Sequence, residues 1–260
     1  MVSFIEAAFL GIIQGLTEWL PISSSGHLVI VQQLLHIKIS LFFDVMLHFG
    51  TLLAVIVFMR KDILEILKSL LKLDFTSQSG KLLLFVIIGS IPITFFGFFF
   101  HEIIEAMFSN LYVVGLSLLI TGAILYLTKN TRGKKKLRLK DSILVGIVQA
   151  FALIPGISRS GSTISTGLLR DIDKKLAFKF SFLLAVPAVI GANLLELTNV
   201  IVGNIQINLL QAIVSTLISF IAGYISLKFL YNLLQKGKFY LFCYYCWMLG
   251  TLLLLYRFFI

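Results

Sequence analysis

The chain has 260 residues, 58% of them apolar and only 13% charged, with a mean hydropathy of +1.00. A soluble domain carries about 25% charge, so an ordinary water-soluble globule is excluded and a single membrane domain over residues 1–260 is expected. The net charge of +10, from 22 Lys and Arg against 12 Asp and Glu, records membrane orientation in so apolar a chain rather than nucleic-acid binding.

In chain order, the first apolar region runs from Phe4 to Leu35 and is interrupted at Pro21-Ile-Ser-Ser-Ser-Gly-His27. It lacks a basic start and a small-residue cleavage site and carries Glu6, Gln14 and Glu18, so it is expected to stay in the mature protein. Spans follow at Val45 to Met59, Leu82 to Phe100 and Ala106 to Thr128. A basic loop, residues 129–141, precedes a second broken region from Ser142 to Leu169, interrupted at Pro155-Gly-Ile-Ser-Arg-Ser-Gly-Ser-Thr163. Three more spans, Phe180 to Leu195, Leu197 to Leu227 and Phe239 to Tyr256, complete the chain. Broken helices are tolerated at membrane depth only where protein or a water-filled cavity satisfies the backbone.

If both broken regions turn back to the side they entered, 19 of the 22 basic residues fall on one face, with Lys38 and Arg257 opposite and Arg159 inside the membrane. The positive-inside rule then makes that face cytoplasmic and puts both termini outside. A shift of 135 residues superposes the broken regions with seven identities in 16 positions, including Gly11 on Gly146, Gln14 on Gln149, Ser23 on Ser158 and Ser25 on Ser160, and it also places Gly115 on Gly250. The expected fold is an all-α integral membrane protein with an inverted-topology repeat. Each half, residues 1–128 and 142–260, holds one re-entrant broken helix pair plus three transmembrane helices, and the two Ser-rich tips approach each other from opposite faces.

Arg159 stays charged at any relevant pH and must face a cavity or an anion. Pro155-Gly156 breaks the chain ahead of it, and Ser158, Ser160, Gly161, Ser162 and Thr163 surround the start of a new helix. Helix-terminal N–H groups, hydroxyls and a bidentate Arg form an oxyanion cradle. The first tip carries Glu18, Ser23, Ser24, Ser25 and His27, groups able to move protons or attack, with Gln14 one turn before Glu18. His36, His48 and His101 read as structural. Phosphate-ester or anhydride chemistry, or phosphate transport, is the class these residues allow.

Gln14-Gly-Leu-Thr-Glu18-Trp-Leu-Pro-Ile-Ser-Ser-Ser-Gly-His27 together with Pro155-Gly-Ile-Ser-Arg-Ser-Gly-Ser-Thr163 resembles the two signature motifs of the bacterial undecaprenyl-diphosphate phosphatase family, also called the bacitracin-resistance protein family. The resemblance implies hydrolysis of the lipid diphosphate to undecaprenyl phosphate and inorganic phosphate, in the bacterial plasma membrane, at a site open to the outer face. It implies a divalent cation, Mg2+ or Ca2+. It places the family's acidic motif on Gln14 and Glu18, its Ser and His on Ser24 and His27, and its arginine on Arg159. Gln14 stands where many members have Glu, so the metal falls to Glu18, with Asp44 as a further candidate ligand. His27 and Ser24 remain competing nucleophiles. The diphosphate is assigned to Ser23, Ser25, Gly156, Ser158, Arg159, Ser160, Gly161, Ser162 and Thr163.

A transporter or flippase of a phosphorylated polyprenyl lipid is the alternative, and Glu18 and His27 argue against a pure binder. The expected partners are the lipid substrate, the bilayer and a second copy in a homodimer, with no nucleic acid. Cys243-x-x-Cys246 reads as packed thiols within an apolar helix.

Overall fold

The computed structural model describes residues 3–37, 39–202 and 209–259, without the side chains of residues 41, 195–202 and 257–259. Lys38 and the Arg257 side chain, to which the opposite face was assigned, therefore lie outside the described residues. The helices in order are α1 (Phe4–Trp19), α2 (Ser24–Leu34), α3 (Leu41–Phe58), α4 (Arg60–Leu71), α5 (Gln78–Phe99), α6 (His101–Met107), α7 (Leu111–Leu127), α8 (Leu139–Phe151), α9 (Arg159–Leu169), α10 (Lys174–Val202), α11 (Leu209–Gln235) and α12 (Phe242–Phe259). Helix starts coincide with short polar side chains that accept otherwise orphaned amides. Ser3, Ser23, Ser40, Ser77, Asn110 and Ser158 each cap the helix that follows them.

Five helices, α5, α7, α10, α11 and α12, are long and apolar enough to cross a membrane, and α3 joined to α4 makes a sixth candidate with a bend of 79°. The chain is thus an all-helical, multi-pass membrane protein. Its polarity is reversed relative to a soluble protein. Ile91, Phe98 and Phe99 of α5 are 61%, 72% and 64% exposed, whereas Gln14, Ser142, Gln149, Ser215 and Ser219 are fully buried between helices, as expected where lipid solvates the outside and polar groups bond across helix contacts.

Two expected boundaries shift. The uncharged stretch assigned to Leu197–Leu227 divides between two helices, because α10 continues to Val202 and α11 begins at Leu209; hydropathy does not register a helix boundary that carries no charge. The span assigned from Ala106 starts at Leu111, where Asn110 caps α7. Helix α4 was not anticipated. It is amphipathic, with Ile63 and Ile66 packed on the core and Leu64, Leu67 and Lys68 exposed.

Close helix contacts run between the two ends of the chain. Helix α1 packs on α11, α8 on α5, α3 on α11, α10 on α5, and α7 on α12. Glycines make these approaches possible. A Cβ at Gly11 would lie 2.8 Å from the Ser215 carbonyl oxygen, one at Gly15 would meet Ala222 Cβ at 2.5 Å, and one at Gly146 would collide with the Gly89 carbonyl. Gly115 and Gly250 face each other across α7 and α12. The basic loop is tied down: Lys134 and Lys135 amides donate to the Asp171 carbonyl at 2.8 and 2.7 Å, and the Asp173 amide donates to the Lys135 carbonyl at 3.0 Å. The turn that ends α9 is thereby fastened to the loop that leads into α8.

Overpacking a close helix contact costs about 1–3 kcal/mol, or several degrees of melting temperature in a chain of this size. Gly146→Val is therefore expected to lower the detergent melting temperature by about 5 °C. Gly191→Ala, at a position with nothing within 4 Å of an added Cβ, should leave it unchanged, and equal effects in a thermal-shift measurement would contradict this packing account.

Candidate active site

The two helix breaks meet. Ser23 holds a positive φ of 68°, and its hydroxyl oxygen accepts from the Gly26 amide at 3.3 Å, within its own break, and from the Gly156 amide at 3.2 Å, in the other. In return Ser160 Oγ donates to the Leu20 carbonyl at 3.1 Å. Thr121 of α7 completes the arrangement, donating to the Gly156 carbonyl at 3.1 Å and accepting from the Ser158 amide at 3.2 Å. Gly156 has φ +96°, and a Cβ there would sit 2.6 Å from the Val114 carbonyl, so only glycine lets the second break press against α7. Cys246, free and buried like Cys243, places its thiol 3.6 Å from the Pro21 carbonyl.

At this junction lies a compact polar group. Arg159, the first residue of α9, forms an ion pair with Glu18 near the end of α1, with the side chains only 18% and 5% exposed. The guanidinium also lies 5.6 Å from the Trp19 ring centroid, within cation–π range. The other oxygen of Glu18, Oε2, accepts from Ser24 Oγ at 2.5 Å and from Gln14 Nε2 at 3.0 Å. His48 of α3 stands 3.9 Å from Glu18 and 3.6 Å from the Asp44 carboxylate. Of the residues singled out in the sequence, the structure thus brings Gln14, Glu18, Ser24 and Arg159 together. Asp44 connects to them through His48, which had been read as merely structural. The spacing of Asp44 and His48, one helical turn apart, was the signal for that link.

The serines divide by use. Ser23, Ser158 and Ser160 hold the junction together, as caps or as bonds between the breaks, and Ser158 Oγ accepts from the Gly161 amide at 3.1 Å. Ser25 Oγ bonds Ser23 Oγ at 3.1 Å. Thr163 Oγ1 donates to the Arg159 carbonyl at 2.7 Å and lies 2.5 Å from Ser181 Oγ. Ser162 is buried with its hydroxyl unpartnered, in the first turn of α9, where helix geometry leaves backbone N–H groups without intrahelical acceptors. His27 is engaged with neither Glu18 nor Arg159. Its Nδ1 is 2.7 Å from the Ser23 carbonyl and its Nε2 is 2.6 Å from Tyr245 Oη of α12, a residue 218 positions away that no local pattern marks.

Removing one member of a buried ion pair costs about 3–5 kcal/mol because the other charge is stranded. Glu18→Ala and Arg159→Ala should each destabilise the protein by about that amount. The double variant should lose at least 1 kcal/mol less than their sum, and strict additivity in denaturant or thermal unfolding would show that the pair is not coupled.

Comparison with known proteins agrees with the motifs. The family described as bacitracin resistance protein BacA matches residues 7–252. An undecaprenyl-diphosphatase of Korarchaeum cryptofilum is 42% identical over 257 residues, covering 96% of this chain and 97% of that protein. The undecaprenyl-diphosphatase of Halothermothrix orenii is 40% identical, covering 96% of each chain, and that of Methanobrevibacter smithii is 41% identical, covering 95% of each. With both signature motifs meeting at one buried site and similarity over nearly its whole length, the chain belongs to the bacitracin resistance protein BacA family.

Proposed function

We propose that this chain is an undecaprenyl-diphosphate phosphatase, an integral membrane hydrolase that releases inorganic phosphate from the lipid diphosphate and returns undecaprenyl phosphate to peptidoglycan synthesis, the activity associated with bacitracin resistance. The observation that carries the reading is the contact of Arg159, Glu18 and Ser24 at the opening of α9.

The terminal phosphate takes the place of Glu18 on the Arg159 guanidinium, whose planar fork suits two phosphate oxygens. The first-turn amides of α9 and the Ser162 hydroxyl complete the cradle. Ser24 then attacks the terminal phosphorus. Its Oγ–P bond forms as the bridging P–O bond breaks, and its proton passes to Glu18 and on to the departing undecaprenyl phosphate. Water next cleaves the phosphoserine: its oxygen bonds to phosphorus as the Oγ–P bond breaks, one of its protons goes to His27 Nε2, and that proton then passes from His27 to Ser24 Oγ as inorganic phosphate leaves. Ser24 is preferred to His27 as nucleophile because its hydroxyl already donates to a carboxylate, whereas Nε2 of His27 is occupied by Tyr245. A lipid-phosphate carrier would have no use for a hydroxyl set up in this way.

The donors present suit a hard divalent cation, magnesium or calcium, held mainly by diphosphate oxygens. Glu18 supplies a carboxylate, and Gln14 supplies an amide oxygen, Oε1, that is buried without a hydrogen-bond partner. Among the described residues no three His, Cys, Asp or Glu side chains are grouped around a metal position, in keeping with magnesium sites that rely on substrate phosphates. When bound, such an ion neutralises charge on the phosphate oxygens. Asp44 is assigned to His48 rather than to the metal.

The inverted repeat of residues 1–128 and 142–260 is supported by the exchange symmetry of the packing, α1 on α11 and α8 on α5, with the corresponding Gly11 and Gly146 at the two contacts. The fastening of the α9 exit to the α8 entry supports a re-entrant second pair. The charge asymmetry supports cytoplasmic basic loops in the plasma membrane, and the family resemblance implies a site facing outward.

Purified protein in detergent, supplied with magnesium, is expected to release phosphate from a C15 or C55 prenyl diphosphate and to stop on addition of a chelator. Ser24→Ala and Arg159→Lys should each lower kcat/KM by about 10²-fold or more. No release from well-folded protein would overturn the phosphatase in favour of a lipid-phosphate carrier, and near-normal turnover in Arg159→Lys would overturn the phosphate cradle.

A further inference from the structure

Tyr245 lies outside both signature motifs, on the last helix, yet its hydroxyl is 2.6 Å from His27 Nε2. The direction of this bond follows from the opposite side of the ring. His27 Nδ1 is 2.7 Å from the Ser23 backbone carbonyl, and a carbonyl only accepts, so Nδ1 carries the hydrogen. In the neutral imidazole Nε2 is then the lone-pair nitrogen, and the Tyr245 phenol donates to it. The two rings are nearly parallel, 10° apart with centroids 5.7 Å apart. Tyr245 is also held firmly. Trp247, two residues on, donates from Nε1 to the Leu119 carbonyl at 3.2 Å, the neighbouring Cys246 thiol reaches the Pro21 carbonyl, and Gly250 packs on Gly115.

We propose that Tyr245 is a positioning residue for His27. Resting on the phosphatase reading above, it presents Nε2 as the basic nitrogen, shields it until substrate and water are in place, and accepts a hydrogen bond from Nε2–H once His27 has taken the proton of the attacking water. A phenol serves both states because its oxygen donates and accepts. Phenylalanine preserves the ring and loses both bonds. The proposal assigns the last helix a part in the second chemical step, the cleavage of the phosphoserine, and none in substrate capture.

Tyr245→Phe is therefore expected to lower kcat about tenfold and KM in the same proportion, leaving kcat/KM and the melting temperature unchanged. It should convert steady release into a burst of one lipid phosphate per enzyme followed by slow release of inorganic phosphate. In a His27→Ala background the same substitution should have no further effect. Tyr244→Phe, altering the neighbouring, 53% exposed tyrosine, should behave as wild type. A readout independent of turnover is the rate at which diethylpyrocarbonate carbethoxylates His27, followed by mass spectrometry. Freed of the phenol, Nε2 should react about fivefold faster in Tyr245→Phe. Wild-type turnover in Tyr245→Phe, a tenfold loss that persists without His27, or an unchanged modification rate would each overturn the role of Tyr245. Absence of phosphate release from the wild type would instead overturn the phosphatase reading, leaving the modification rate to decide whether the phenol covers Nε2.

Discussion

A helix that breaks off among packed helices leaves backbone donors and acceptors that neither water nor lipid satisfies, and this chain breaks two of them. Each break answers the needs of the other. The hydroxyl of Ser23 receives the Gly156 amide, and that of Ser160 covers the Leu20 carbonyl. Thr121 and Cys246, on the two helices that meet through Gly115 and Gly250, take up further groups of the two breaks. Because these bonds are mutual, the position of one break is fixed only when the other is in place, and Glu18, Ser24 and Arg159 beside the breaks inherit that precision.

The same junction places a charge where a charge is costly. Arg159 is tolerable there because Glu18 balances it and Trp19 offers the face of its ring. In the proposed reaction an incoming diphosphate replaces the carboxylate on the guanidinium without leaving a cation stranded, so binding becomes an exchange of anions rather than a fresh desolvation. The exchange also releases Glu18 while its second oxygen still holds Ser24. Substrate capture and release of the base are then one event, governed by one guanidinium.

Much of this was legible in the sequence because its causes are local. Pro21 and Pro155 with their serines mark the breaks, the uncharged stretches mark the spans, and an arginine inside a membrane segment requires an anion. The 135-residue correspondence made the meeting of the breaks an expectation before any geometry was available. What was illegible depended on distance along the chain or on features that hydropathy does not register. Tyr245 reaches His27 across 218 positions, and no periodicity carries that information. The boundary between α10 and α11 carries no charge, so span counting passes over it. Helix α4 is too polar to count as a span, although its apolar positions at Ile63 and Ile66 have helical spacing. His48 was discounted as a lone histidine, although Asp44 lies one turn before it on the same helix. Two of the serines assigned to the diphosphate, Ser23 and Ser158, are helix caps, which is what serine ahead of a helix most often does.

The pairing of α1 with α11 has a consequence for how the protein is made. The first helix pair leaves the ribosome early, while its main packing partner begins at Leu209, close to 200 residues later. At about 5–20 residues per second, that is a wait on the order of 10–40 s. For much of this interval the Leu20 carbonyl lacks Ser160, 140 positions later in the chain, the Ser23 hydroxyl lacks Gly156, and Glu18 has no arginine. Water at the bilayer surface, or the insertion machinery, must supply what α9, α11 and α12 later replace. The polar groups of the first break thus depend on segments of the chain made long after them.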